Sequence, residues 1–232
     1  MNNPYSEDQL VEQPAIVLLK EIGWQTQDCL NEFEYDSQIR TGREAKSEVV
    51  LTDRLRAALE RLNPDATRDA ITTAIEVITQ SRAVMNPVEA NREIYNILKD
   101  GVKITDTDPN TQEVTDLVLK VIDWENPENN NFFAATQFWI TGEMYTRRPD
   151  LIGFVNGIPL VLMEFKRIDE NIYAAYNDNL RDYRDTIPNL FWYNAIIVVS
   201  NGSEIRVGSF TAEWEHFTEW KRVRLNRGCV LL

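Results

Sequence analysis

The stretch RRPDLIGFVNGIPLVLMEFKR, residues 147–167, constrains the fold more than any other part of the chain. Two apolar runs flank Asn156-Gly157, a dipeptide that reads as a hairpin turn. Side chains alternate along a strand, so 160, 162, 164 and 166 share one face and Val161, Met163 and Phe165 the other. Both faces are apolar over Leu160–Met163, which puts the strand inside a sheet. Glu164 and Lys166, at its end, then need partners or solvent.

Whether Asp150 joins them depends on the turn. A strict two-residue loop pairs 155 with 158 and 150 with 163, which points Asp150 away from Glu164. A three-residue loop over 156–158 pairs 150 with 164, and a bulge has the same effect. Pro159 lacks an N–H, so the ladder near the turn is already irregular. The expectation is that Asp150 and Glu164 face each other.

Two converging carboxylates repel unless a proton or cation lies between them. Their hard oxygens suit Mg²⁺, or Mn²⁺ in its place. The backbone carbonyl of Phe165 is a natural third ligand, because it lies between the two side chains. Lys166 would stand beside the metal and stabilise charge on a phosphate or orient a water. Those are the parts that metal-assisted phosphodiester hydrolysis needs. The plain alternative is a set of structural salt bridges.

The rest of the chain supplies a mixed α/β frame. Ser6-Glu7-Asp8-Gln9 reads as a capping box before a helix that Gly23 ends, with Pro14 awkward inside it. Residues 42–100 carry helical stripes broken at Asn63-Pro64 and Asn86-Pro87. They are expected to form a helical segment or insertion within one domain spanning 1–232. Strands are expected at Val114–Ile122 and Phe132–Ile140, in the hairpin, at Ala195–Val199 and at Glu204–Phe210. A polar loop covers 126–131, and a helix covers 168–187. This order predicts a central mixed sheet flanked by helices.

Net charge is −13, so no basic surplus advertises an autonomous DNA-binding protein. No apolar run is long enough for a bilayer and the start lacks a signal peptide, so the default expectation is cytoplasmic, with no membrane partner. Cys29 and Cys229 have no metal-ligand spacing. His216, the single histidine, has no triad partner and reads as structural.

Pro149-Asp150 and Glu164-Phe165-Lys166 match the PD…(D/E)xK nuclease motif. The wording around them resembles the N-terminal endonuclease domain of type I restriction enzyme R (motor) subunits. EDQLVEQPAIVLLKEIGW (7–24) looks like the opening of that domain, and NAIIVVSNGSEIRVGSF (194–210) like its later part. The resemblance covers most of the chain and is weakest over 42–100.

The resemblance implies an α/β restriction-endonuclease-like core that cleaves double-stranded DNA with Mg²⁺. It places the catalytic groups on Asp150, Glu164 and Lys166. It also implies a translocase of helicase type after this segment, and methyltransferase and specificity subunits that recognise the target. ATP would belong to the motor, since no Gly-rich loop ending in Gly-Lys-Ser/Thr occurs here. If those partners grip the DNA, the acidic charge is no obstacle. Related nucleases carry Gln-x-x-x-Tyr on the following helix. The matching positions are Asn179 and Tyr183, with Asn departing from the pattern, and core packing is the plain reading of Tyr183. A first-helix acid near the metal in some members points to Glu12, with Glu7 as rival. Arg147, Arg148 and Arg167 flank the site as phosphate contacts or plain surface charge. Two rivals stay open: a recombination or repair nuclease on the same core, and a non-catalytic interaction domain retaining the fold.

Overall fold

The computed structural model describes residues 8–39, 41–107, 114–221, 223–225 and 228–230. A π turn, Asp8–Glu12, leads into α1, Gln13–Glu21, with Pro14 among its first residues. There the missing N–H costs no helix bond, so the proline starts the regular helix instead of kinking it. Ser6 and Glu7 lie outside the described residues. Gly23, at φ +94°, turns the chain out of the helix and into β1, Gln25–Asp28. Three helices follow: α2 (Thr52–Leu62), α3 (Arg68–Thr79) and α4 (Pro87–Asp100). Thr67 caps α3 and Asn86 caps α4, each accepting a backbone N–H.

Next comes a separate hairpin, β2 (Val102–Thr107) with β3 (Val114–Leu119). Then follow β4 (Phe132–Thr136) and two short strands, β5 (Ile140–Thr141) and β6 (Thr146–Arg147). The predicted hairpin is β7 (Leu151–Val155) with β8 (Ile158–Phe165). A π turn at Ala175–Leu180 runs into α5 (Arg181–Thr186) and the short α6 (Pro188–Phe191). The described chain closes with β9 (Ile196–Ser200), β10 (Ile205–Gly208), β11 (Thr218–Glu219) and a small hairpin of β12 (Val223–Leu225) and β13 (Gly228–Val230).

Seven strands make one mixed sheet in the order β1-β4-β7-β8-β9-β10-β11. The pairs β1/β4 and β8/β9 are parallel and the others antiparallel. This is the α/β core with flanking helices expected from the sequence. Its two faces are covered differently. Phe133, Ala135, Ile152 and Leu162 join the main core, which also holds Leu55, Leu59, Ile71, Ile94, Tyr176 and Tyr183. The alternating residues Ala134, Leu151 and Phe165 pack with Val11 and Leu19. So α1 covers one face, while α2–α4 and the π turn with α5 share the other.

The segment 42–100 is tied to the sheet at several points. Leu51 N–H donates to the Gly157 carbonyl at 2.8 Å. The Asn91 amide donates to the carbonyls of Phe191, Trp192 and Asn194, and the Tyr193 hydroxyl to that of Ile78. The polar stretch 126–131 is likewise anchored. Asn130 and Asn131 bond the fully buried Asn156, and Asn129 bonds Asp123.

Several boundaries differ from the sequence reading. β3 stops at Leu119, and β4 stops at Thr136 because Gln137 takes φ +53°. The expected helix over 168–187 begins only after turns at its start, and six of its residues, Ala175–Leu180, form a π turn. β1, with the polar sequence Gln-Thr-Gln-Asp, carries no strand signal at all.

Candidate active site

The hairpin resolves its register by a bulge. Val155 pairs with Ile158 and Phe154 with Pro159, as in a two-residue turn. The register then shifts, and Gly153 pairs with Val161 and Leu151 with Met163. Leu160 is the extra residue. Its carbonyl is used instead by Ala195 N–H and the Asn194 amide. Pro159 has no N–H to continue the ladder, which makes this the natural place for the slip. Gly153 accommodates the bend: a Cβ there would sit 2.9 Å from the Trp24 ring and 3.0 Å from Val161. The consequence is that Asp150 lies opposite Glu164.

The two carboxylates are interlocked. Asp150 N–H donates to Glu164 Oε1 at 3.2 Å, and Phe165 N–H donates to Asp150 Oδ2 at 2.8 Å. Glu164 is fully buried. Its pKa is pushed well above the usual carboxylate range, first by burial and then by the negative charge of Asp150. Asp150 is also raised, by burial, against the opposing pull of the Phe165 N–H and Lys166. The pair titrates as a unit. Two carboxylates so close inside the sheet call for a proton or a cation between them.

Asn179 joins the acid to the lysine. Its Nδ2 donates to Glu164 Oε2 at 2.6 Å, and its Oδ1 accepts from Lys166 Nζ at 3.2 Å. Lys166 is held from below as well, since its N–H donates to the Ser200 carbonyl of β9. Tyr183 is buried one turn along. Burial, and then the charges of Glu164 and Asp150, push its hydroxyl pKa up. Asp150, Glu164, Lys166, Asn179 and Tyr183 are thus one constellation, drawn from β8, the segment before β7, and the helix that follows.

Other candidates stand apart. Glu12, the last residue of the π turn before α1, is buried, and its carboxylate accepts from Gln137 Nε2 at 3.4 Å. Among the described residues no group of three or more His, Cys, Asp or Glu side chains could hold a metal ion. Glu12 is joined to the Asp150 backbone through Gln137, whose N–H donates to the Asp150 carbonyl. Arg147 is engaged in an ion pair with Asp182 of α5. Arg167 pairs with Asp169 and Glu170 on the surface. Arg148 is exposed, with its guanidinium 5.0 Å from the Trp139 ring centre, and its charge helps to lower the Asp150 pKa. Of the three arginines it is the one left facing solvent without a carboxylate partner among the described residues.

One residue of this site has no sequence signal. Gln137 adopts a left-handed backbone rare for a non-glycine residue. Its N–H donates to the Asp150 carbonyl at 3.0 Å, and its side chain reaches Glu12. It ties the first helix to the backbone of the catalytic candidate. A glutamine forced to positive φ by its surroundings cannot be told from any other glutamine in a strand.

The donor chemistry fits a hard divalent cation. Mg²⁺ commonly takes one or two carboxylates from a protein and completes its shell with water and phosphate oxygens. The buried Glu164 and the half-buried Asp150 supply two such carboxylates.

A family model described as the type I restriction enzyme R protein N terminus matches residues 4–216. The type I restriction enzyme HindI endonuclease subunit of Haemophilus influenzae is 33% identical over 222 residues, 92% of this chain and 20% of that protein. A Methanocaldococcus jannaschii protein, provisionally named the type I restriction enzyme MjaIXP endonuclease subunit, is 34% identical over 230 residues, 94% of this chain and 21% of its own. The type I restriction enzyme SsaAORF53P endonuclease subunit of Staphylococcus saprophyticus is 23% identical over 202 residues. The chain thus spans about a fifth of the length of these relatives.

Proposed function

The chain belongs to the family of type I restriction enzyme R protein N termini, and from that membership and the site's geometry we propose that it hydrolyses phosphodiester bonds of double-stranded DNA with the help of a divalent metal. The observation that carries this reading is the interlocked pair Asp150–Glu164, with Lys166 joined to it through Asn179. Asp150, Glu164 and the Phe165 carbonyl would hold Mg²⁺, or Mn²⁺ in its place. When bound, the metal supplies polarisation of the phosphate and a more acidic water.

This chain's own residues do the rest. The raised pKa values mean that the carboxylates give up a proton as the cation enters, so affinity rises with pH. Lys166 sets a positive charge beside the phosphate oxygens, where charge builds up during displacement. Asn179 orients both Glu164 and Lys166, and its shorter side chain serves where related nucleases use glutamine. Tyr183 closes the site against water from the helix side. Arg148 is the cation placed to meet a neighbouring backbone phosphate.

In the larger assembly we place this segment beside an ATP-dependent translocase and with methyltransferase and specificity subunits. Target recognition and ATP use belong to those parts. The test is Mn²⁺ binding by calorimetry on this chain and on Asp150→Ala. Binding abolished by the substitution supports the reading; binding that survives it unchanged puts the metal elsewhere and sinks it.

A further inference from the structure

A second cationic feature lies at the other end of the sheet. A cleft of about 430 Å³ opens between β1, α2 and the residue before β4, lined among others by Gln25, Asp53, Arg54, Ala57, Arg61 and Asn131. Arg54 and Arg61 are seven apart on α2, so their Cα atoms lie about 10 Å apart along one helix face. Ala57 stands between them, and its small side chain leaves the space open.

Neither arginine has a carboxylate partner among the described residues. Arg54 Nη1 donates to two neutral acceptors, Gln25 Oε1 at 2.9 Å and Asn131 Oδ1 at 2.8 Å. Its guanidinium lies 3.9 Å from the Phe133 ring centre. Half burial of this cation lowers its pKa. Arg61 Nε donates to the Asn129 carbonyl at 2.9 Å, and Nη2 reaches Asn156 Oδ1 at 3.4 Å. Asp53 also lines the cleft, with its carboxylate against Gly42, and makes no ion pair with either arginine among the described residues. In a chain with 37 acidic and 24 basic side chains, two arginines held by neutral groups in one cleft are a notable placement. Both forks are positioned by those neutral acceptors, and their remaining N–H groups suit an oxoanion.

We propose that this cleft is a second anion site, which takes successive backbone phosphates of a nucleic-acid strand. Each guanidinium is fixed by its own acceptors two helical turns from the other, so a chain of phosphates satisfies both where a single free phosphate does not. The choice of nucleic acid rests on the function proposed above. β4 starts beside Asn131 and ends at Thr136, whose partner Leu151 follows Asp150. A strand of this length spans roughly 17 Å. The cleft is therefore separate from the carboxylate site and would grip DNA away from the scissile bond, positioning without reading sequence.

The test measures binding of a labelled duplex to this chain against salt, with Ca²⁺ replacing Mg²⁺. Arg54→Gln/Arg61→Gln is expected to lower the slope of log K on log salt by about 2, with Mn²⁺ affinity unchanged. Ala57→Glu sets a carboxylate in the cleft without touching the arginines' partners. It should weaken duplex binding even if the double substitution disturbs folding. An unchanged slope in both variants overturns the proposal. The Asp150-dependent Mn²⁺ binding reports separately on the nuclease reading. Inorganic pyrophosphate, followed by NMR at the Ala57 amide and the Arg54 side chain, supplies a second arm. Shifts with pyrophosphate but no effect on duplex binding would overturn the nucleic-acid source and leave a site for free phosphates. No response to either probe would overturn the anion site altogether.

Discussion

Glu164→Gln should stabilise the metal-free protein at neutral pH, although it removes the centre of the site. Glu164 is fully buried, and burial together with the Asp150 charge raises its pKa. In the unfolded chain both carboxylates ionise in the ordinary range. Between that range and the raised folded value, the folded state holds a proton that the unfolded state has lost. Stability therefore falls as pH rises through the window, by about 1.4 kcal/mol per pH unit for one proton. It is fully present below the ordinary carboxylate pKa. Asp123 and Asp182 have lowered pKa values, from hydrogen bonds with Asn129 and Arg147 respectively, and act in the opposite sense at lower pH. The difference between wild type and variant removes their contribution. The glutamine oxygen still accepts from Asp150 N–H, while its NH2 meets the Asn179 Nδ2 donor and that bond is lost, so the net gain at pH 8 should be about 1–3 kcal/mol. Urea unfolding from pH 5 to 8 in EDTA measures both curves. A wild-type curve that is flat or rising, with the variant less stable at pH 8, would refute the reasoning.

Three further perturbations test the frame and the chemistry. Lys166→Ala, in a reconstituted full-length enzyme, should lower plasmid cleavage by about 10²–10³ while translocation and ATP use continue; full-rate cutting would remove Lys166 from the mechanism. Gly157→Ala should cost about 2–4 kcal/mol in urea melts, because φ is +82° and the new Cβ would meet the Leu51 carbonyl at 2.4 Å. Asn156→Ala should cost about 2–4 kcal/mol, because its buried amide donates to the Val121 carbonyl and Asn130 and accepts from Asn131 N–H; a thermal melt within a degree of wild type would contradict that.

The chemistry was legible because it depends on local order. Asn156-Gly157 between apolar runs specifies the turn, and its φ values of +51° and +82° are those the dipeptide favours. Period-two alternation then puts Glu164 and Lys166 on one face whatever the rest of the chain does. The stripes of α2–α4 and the breaks between them at Asn63-Pro64 and Asn86-Pro87 are local in the same sense. Whether Asp150 meets Glu164 was not decided locally. A turn sets only the first pairs of a ladder, and a slip of one residue reverses every side chain beyond it. Here the slip is admitted by Pro159, and it is completed by contacts from afar: Trp24 against Gly153, and Ala195 and Asn194 on the carbonyl of Leu160. The same holds for Gln137, for the polar edge strand Gln25–Asp28, and for Asn179, which reaches both Glu164 and Lys166 only once the π turn is packed on the sheet. The residue types and the turn came from the sequence alone. The meeting of the two carboxylates came from tertiary structure, because register is a property of the whole sheet and its neighbours.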